Sequence, residues 1–288
     1  MATRRPWIWT HRWLALHASG DGRSPRARES RPRSGCSATR SDAAIPFVPL
    51  RKRAEIDGIN SVEGLARDGV SLIVSNDDDD LLFRLGAPIS DVTKAVAYGH
   101  LDLDACKNSG IEAFANVGQN GYIAANERPV HPAERPVVEI VRGRLVPDHL
   151  EPGPRRWGYA LDDAGVGKDV GLSELLWIGP ADPRSILALE RSYERGRGNS
   201  IRLYRASLDE TPFPAPIPKR LIADLAGLPG FGTSKNQPRN AGLDNYEGMT
   251  WGPCLDDGSR SLVLVSDDNN DDLRHPNLQV SRILVLSL

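Results

Sequence analysis

The sequence predicts an all-β fold, a β-propeller-like series of repeated antiparallel meanders. Three observations predict it. A short motif centred on a glutamate recurs along the chain. Each copy is followed, after a turn, by a β-rich run and then by a third strand-like run. Gly and Pro number 27 and 22 among 288 residues, which is rich for a helical protein and ordinary for many short strands joined by turns.

The motif reads Ser61-Val-Glu-Gly-Leu-Ala66, Gly110-Ile-Glu-Ala-Phe-Ala115 and Asn245-Tyr-Glu-Gly-Met-Thr250, with a looser copy at Gly171-Leu-Ser-Glu-Leu-Leu176. Its glutamates are Glu63, Glu112, Glu174 and Glu247, spaced by 49, 62 and 73 residues. A regular propeller blade takes ~40–50 residues, so the later units carry insertions. The β-rich runs are Ser71–Asp77, Gly121–Glu127, Ser185–Glu190 and Ser261–Asp267. The third runs are Leu81–Leu85, Val137–Val141, Ile201–Ala206 and Arg282–Leu286. Turn signals such as Arg67-Asp-Gly69 and Asp256-Asp-Gly258 separate the first two strands of a unit. One helix is expected at Pro218–Leu228, where Leu221, Ile222, Leu225 and Leu228 share a helical face ahead of Pro229-Gly230. Four units are few for a propeller. Either further blades lie around Lys94–Leu103 and Arg155–Ala160, or the domain is incomplete.

The net charge of −2 hides a split. Residues 1–50 hold nine Arg against three acids, and the rest of the chain holds 27 basic residues against 35 acids. Residues 1–45 read as a disordered Arg/Ser-rich leader, too polar to offset the chain entropy of folding. The segment Trp7–Leu16 is apolar but broken by His11 and Arg12, which spoils it as a secretory signal. The leader's composition is that of an organelle transit peptide; a leader with no role is the alternative. Residues 46–288 read as the propeller-like domain. The near-zero charge argues against a nucleic-acid binder. No apolar run approaches the ~20 residues of a membrane-spanning helix. Cys36, Cys106 and Cys254 are too scattered for a disulfide framework or a CxxC zinc site. The chain is expected to act as a monomer.

Three stretches carry a family resemblance. One is Asp169-Val-Gly-Leu-Ser-Glu-Leu-Leu-Trp177, with Leu187-Ala-Leu-Glu-Arg-Ser-Tyr193 and Gly198-Asn-Ser-Ile-Arg-Leu-Tyr204. The second is Asn245-Tyr-Glu-Gly-Met-Thr250 with Leu264-Val-Ser-Asp-Asp-Asn269, and the third is Gly110-Ile-Glu-Ala-Phe-Ala115 with Asn126-Glu127. Together the units resemble the phytase-like family named for the esterase-like activity of phytase. The resemblance implies a propeller and phosphoric-ester chemistry. The chain departs from the family pattern in three places. The Arg-rich leader stands where a first blade is usual, Asn76–Asp80 ends a strand that usually closes on an aromatic-Glu-Arg sequence, and Asn270–His275 is an acidic insertion.

Corresponding positions of successive blades form rings around one axis, so repeated acids far apart in sequence converge. Like-charge repulsion then calls for cations or protons. Hard, oxygen-seeking cations, Ca²⁺ or Mg²⁺, are the natural partners, and a bound metal can polarise a phosphoryl oxygen and activate water. The expected function is hydrolysis of a small phosphate ester, a phosphomonoester or phosphodiester. Glu63, Glu112, Glu174, Glu190 and Glu247 form the expected catalytic carboxylate set. Glu127, Asp267 and Asp268 are the expected metal ligands. Arg191 is expected to contact phosphate, since an Arg fork suits a pair of phosphate oxygens. The alternative is a non-catalytic propeller that binds a protein or ligand, its glutamates accepting hydrogen bonds from neighbouring blades. Glu–Arg neighbours on a strand point to opposite faces, so each can also pair across strands.

Other motifs fail. Cys254 and Arg260 have the Cys-x5-Arg spacing of cysteine phosphatases, but Asp256 and Asp257 fill the loop and a strand follows it instead of a helix. Gly230-Phe-Gly232 lacks the Gly-Lys of a P-loop. No Gly-x-Ser-x-Gly elbow exists, and the six His show no zinc-binding spacing.

Overall fold

In the computed structural model, the residues described run from 59 to 288, without 60–61, 69–70, 77–79, 86–94, 102, 104–109, 119, 163–169, 195–197, 229–242 and 268–280. The leader and Asp268 lie outside them. Four antiparallel sheets form a four-blade β-propeller. Blade 1 holds β1 (Val62–Asp68), β2 (Ser71–Asn76), β3 (Leu81–Leu85) and β4 (Ala95–His100). Blade 2 holds β5 (Ile111–Asn116), β6 (Gly121–Asn126), β7 (Val138–Leu145) and β8 (Leu150–Tyr159). Blade 3 holds β9 (Gly171–Trp177), β10 (Ser185–Glu194), β11 (Gly198–Ser207) and β12 (Lys219–Asp224). Blade 4 holds, among the described residues, β13 (Asn245–Cys254), β14 (Arg260–Asp267) and β15 (Ile283–Ser287). Within each blade the strands pair in chain order.

The strands are short and apolar because both faces of a blade are covered. Every residue of β6 is buried. Its Ile123 and Ala125 join the core shared with blade 3, while Tyr122 and Ala124 join the core shared with blade 1. That alternation is the pleat of one strand feeding two interfaces. A third core joins blades 3 and 4 through Leu187, Leu189, Leu262 and Leu264. The innermost strands touch in the order β1, β5, β9, β13. Their approach is close. A Cβ on Gly64 of β1 would come within 2.7 Å of the Phe114 Cβ of β5. No helix among the described residues is long and apolar enough to cross a membrane.

Serine hydroxyls tie blades together. Ser75 Oγ donates to the Ile111 carbonyl of the next blade at 2.6 Å, and Ser173 Oγ to the Tyr246 carbonyl of the next blade at 3.2 Å. Ile111 and Tyr246 occupy the same place in their motif copies.

Two expectations change. The stretches around Lys94–Leu103 and Arg155–Ala160 contain β4 and the end of β8, the outer strands of blades 1 and 2, and add no blades. The helix expected at Pro218–Leu228 is strand β12 followed by a short 3-10 helix, Leu225–Gly227, capped by the Asp224 carboxylate. Its helical periodicity competes with the open edge of β11. Pairing of Arg202 with Asp224, Leu203 with Ala223 and Tyr204 with Leu221 satisfies that edge and wins. Leu221, placed on the buried helical face by the periodicity, is exposed.

Candidate functional site

Each inner strand carries a β-bulge at its motif. In β5, Ile111 pairs with Asn126 and Ala113 with Ala125, leaving Glu112 as the extra residue. In β13, Tyr246 pairs with Ser266 and Gly248 with Val265, leaving Glu247. In β1 the break falls between Val62 and Leu65, around Glu63. A bulge re-aims a side chain that a regular ladder would alternate away. In β9 the pairings are Leu172 with Glu190 and Glu174 with Leu189, so the extra residue is Ser173. Ser173 is therefore the counterpart of Glu112 and Glu247, and Glu174 lies one place further on. Glu174 is buried and accepts a hydrogen bond from the Leu175 amide at 2.9 Å.

The carboxylates of blades 2 and 4 meet on one guanidinium from blade 3. Arg191 Nη2 lies 3.0 Å from Glu127 Oε1, 3.2 Å from Glu247 Oε1 and 4.0 Å from Glu112 Oε1. Glu112 and Glu247 are buried. The Asn245 side-chain amide donates to Glu247 Oε1 at 2.7 Å. Glu127 directly follows β6, its backbone carbonyl accepts from the Leu172 amide at 2.8 Å, and its carboxylate also meets Arg128 at 3.4 Å. Room for that carboxylate comes from Gly171, where a Cβ would sit 2.4 Å from Glu127 Oε1. The cluster thus gathers Glu112, Glu127, Glu247 and Arg191 at the end of the propeller where the inner strands begin.

The remaining expected residues sit elsewhere. Glu63 is half-buried in the bulge of β1. Asp267 ends β14 opposite Asn245. Glu190 leaves the opposite face of β10 from Arg191. It is 3% exposed and accepts from Tyr159 Oη at 2.7 Å, Lys219 Nζ at 2.5 Å and the Asp162 amide at 3.1 Å. Lys219 Nζ also pairs with Asp162 at 2.9 Å and lies 4.7 Å and 4.3 Å from the ring centres of Tyr159 and Tyr204. Tyr204 Oη donates to Asp162 at 2.6 Å. Burial, then the Glu190 charge, pushes the Tyr159 phenol far up, and burial with the Asp162 hydrogen bond raises that of Tyr204. Burial opposes ionisation of Asp162, yet the bonds from Tyr204 and Lys219 hold its carboxyl below the ordinary range. Sequence reasoning missed this second cluster. Its members carry no shared motif, and Lys219 opens the stretch that mimics a helix.

Among the described residues no group of three or more His, Cys, Asp or Glu is placed to hold a metal ion. The carboxylates that converge do so on a guanidinium. At the far end of the inner strands, Cys254 pairs with Arg260 across a hairpin and is disulfide-bonded, so that pair supplies no thiolate nucleophile.

Comparison with known proteins bears on the same residues. The family model described as phytase-like, esterase-like activity of phytase, matches residues 61–270, well over half of the chain. The chain belongs to that family. Membership in the phytase-like family points to a hydrolase of the phosphoesterase type, and the propeller fold fits it. The match takes in both clusters. No curated protein matches the chain. A solved structure, that of Sqt1 from Chaetomium thermophilum, is similar at 13% identity and a TM-score of 0.33, over 75% of this chain and 44% of that one. This chain thus spans less than half the length of that protein, and a likeness so slight carries no argument.

Proposed function

We propose that the chain hydrolyses phosphoric esters, phosphomonoesters or phosphodiesters, at the cluster around Arg191. The observation that carries the reading is the meeting of Glu112, Glu127 and Glu247 on Arg191 from three blades. Family membership supports the reaction class. An Arg fork binds two phosphoryl oxygens, and its guanidinium stays charged at any working pH. Glu127 and Glu247 aim it. Glu112, the most distant of the three, takes the proton of the attacking water. The water oxygen bonds to phosphorus, the ester oxygen leaves with the bonding pair, and the proton passes to the leaving oxygen.

Three carboxylates gather beside Arg191, with Arg128 also on Glu127, and a gathering of acids suits a hard, oxygen-seeking cation. Ca²⁺ or Mg²⁺ remains part of the proposal, with Glu127, Asp267 and Asp268 as its ligands. The described acids form no metal cradle on their own, so no catalytic step is assigned to the ion. Turnover of an aryl phosphate and a bis-aryl phosphodiester, with Ca²⁺, Mg²⁺ or chelator, tests the reading. Turnover that Arg191→Ala and Glu247→Gln abolish supports it. No turnover under any of these conditions contradicts it.

A further inference from the structure

Glu190 and Arg191 are consecutive in β10, and their side chains leave opposite faces of the sheet. The ladder between β9 and β10 shifts register between Leu189 and Glu190, while that between β10 and β11 runs unbroken from Ser185 to Glu194, so it is on the β9 side that side-chain grip adds to the backbone pairing. Three donors from two segments grip the Glu190 carboxylate. They are Tyr159 of β8, the Asp162 amide just beyond β8, and Lys219 of β12. Lys219 is the cation that touches Glu190; Arg202 acts on Asp162 and Tyr204 at the edge of the same cage. Lys219 is held in turn by Asp162 and by two aromatic faces, which attract an ammonium.

We propose that Lys219 is a positioning residue for Arg191, acting through Glu190. The cage between blades 2 and 3 anchors β10 at Glu190, one residue before Arg191, and so aims the guanidinium at Glu127 and Glu247. Without the ammonium, Glu190 is a buried carboxylate with the like charge of Asp162 nearby, a disfavoured arrangement. Glu190 then turns away from the cage. That change loosens the β9 side of β10 where Arg191 follows Glu190. The inference deepens the site proposed above and rests on it for its catalytic consequence, but its structural part is readable without activity.

The test is chemical modification of arginine by phenylglyoxal in the full chain, mapped residue by residue by mass spectrometry. Arg260 is the internal control. It is held at the far end of the inner strands, over Trp251 and on the Ile178 carbonyl. In Lys219→Met the modification rate at Arg191 is expected to rise severalfold while that at Arg260 stays at the wild-type value. An unchanged Arg191 rate in the folded variant overturns the proposal. Should Lys219→Met unfold and expose every arginine alike, Glu190→Gln serves instead. It keeps the shape but removes the charge and one of the two acceptor oxygens that the cage grips, so a selective rise at Arg191 supports the proposal and no selective rise overturns it. In turnover, the same variants lower kcat more than they raise KM. A wild-type chain with no turnover sinks the hydrolase reading and leaves the modification result standing.

Discussion

The Glu127 carboxylate occupies the space a side chain at Gly171 would need, 2.4 Å from where its Cβ would stand. The two residues belong to neighbouring blades, and the same Glu127 reaches Arg191 at 3.0 Å. The glycine is thus a condition for the charge cluster. Gly171→Ala is expected to turn the carboxylate away from Arg191. The displaced atoms end a flexible side chain, so the stability cost lies near the low end of the ~1–3 kcal/mol seen for overpacking. A thermal melt reads that cost. Turnover of an aryl phosphate is expected to fall by more than the small loss in stability explains.

Much of this geometry was legible in the sequence. The inner strands announce themselves through the repeated glutamates, and β3 matches its expected limits, Leu81–Leu85, because it is apolar apart from Arg84. The outer strands were harder. β8 carries two prolines and two arginines over Leu150–Tyr159, since a strand on the rim of a blade faces solvent and need not read as apolar. β12 was lost to a helical periodicity that only the open edge of β11 overrides. The site divides the same way. Repetition marked Glu112 and Glu247, but spacing alone could not show that a bulge puts Ser173, and not Glu174, at their equivalent place in β9. Glu190 stands out beside Arg191 in the sequence, while its neighbours Tyr159, Asp162 and Lys219 lie in two distant segments with no common pattern.

Removing the guanidinium is expected to cost more than removing any one acid. Arg191→Met takes from Glu112, Glu127 and Glu247 the guanidinium that all three share. The side chain is 22% exposed, so the loss falls short of the ~3–5 kcal/mol of a fully buried pair, at about 2 kcal/mol. The deficit is expected to shrink as salt screens the repulsion between these charges. Urea titrations of wild type and variant at low and high salt measure it. An equal deficit at both contradicts the charge argument.

The Lys219 cage contributes to the alkaline limit of stability, alongside the buried tyrosines Tyr98, Tyr122 and Tyr246, whose phenols are also raised by burial. Tyr159 and Tyr204 bind their phenolic protons more tightly folded than unfolded. A raised pKa stabilises the fold fully below the unfolded value, ~10 for Tyr, and that contribution is lost as pH rises beyond it. Stability is therefore expected to fall steadily above about pH 10. The double variant Tyr159→Phe/Tyr204→Phe starts less stable at neutral pH, having lost hydrogen bonds to Glu190 and Asp162. It declines less steeply on the alkaline side. Melting temperatures across the alkaline range show whether the two curves converge as expected.

The most direct measurement is steady-state hydrolysis of an aryl phosphate and a bis-aryl phosphodiester by wild type, Arg191→Ala, Glu112→Gln and Glu247→Gln, each shown to be folded by its melt. Wild-type turnover is expected, with Glu112→Gln lowering kcat about 10²-fold as the loss of a general base does. Arg191→Ala and Glu247→Gln are expected to remove most of the rest. Wild-type rates in all three variants, or no turnover by wild type with Ca²⁺, Mg²⁺ or neither, would contradict a phosphoric-ester site at Arg191.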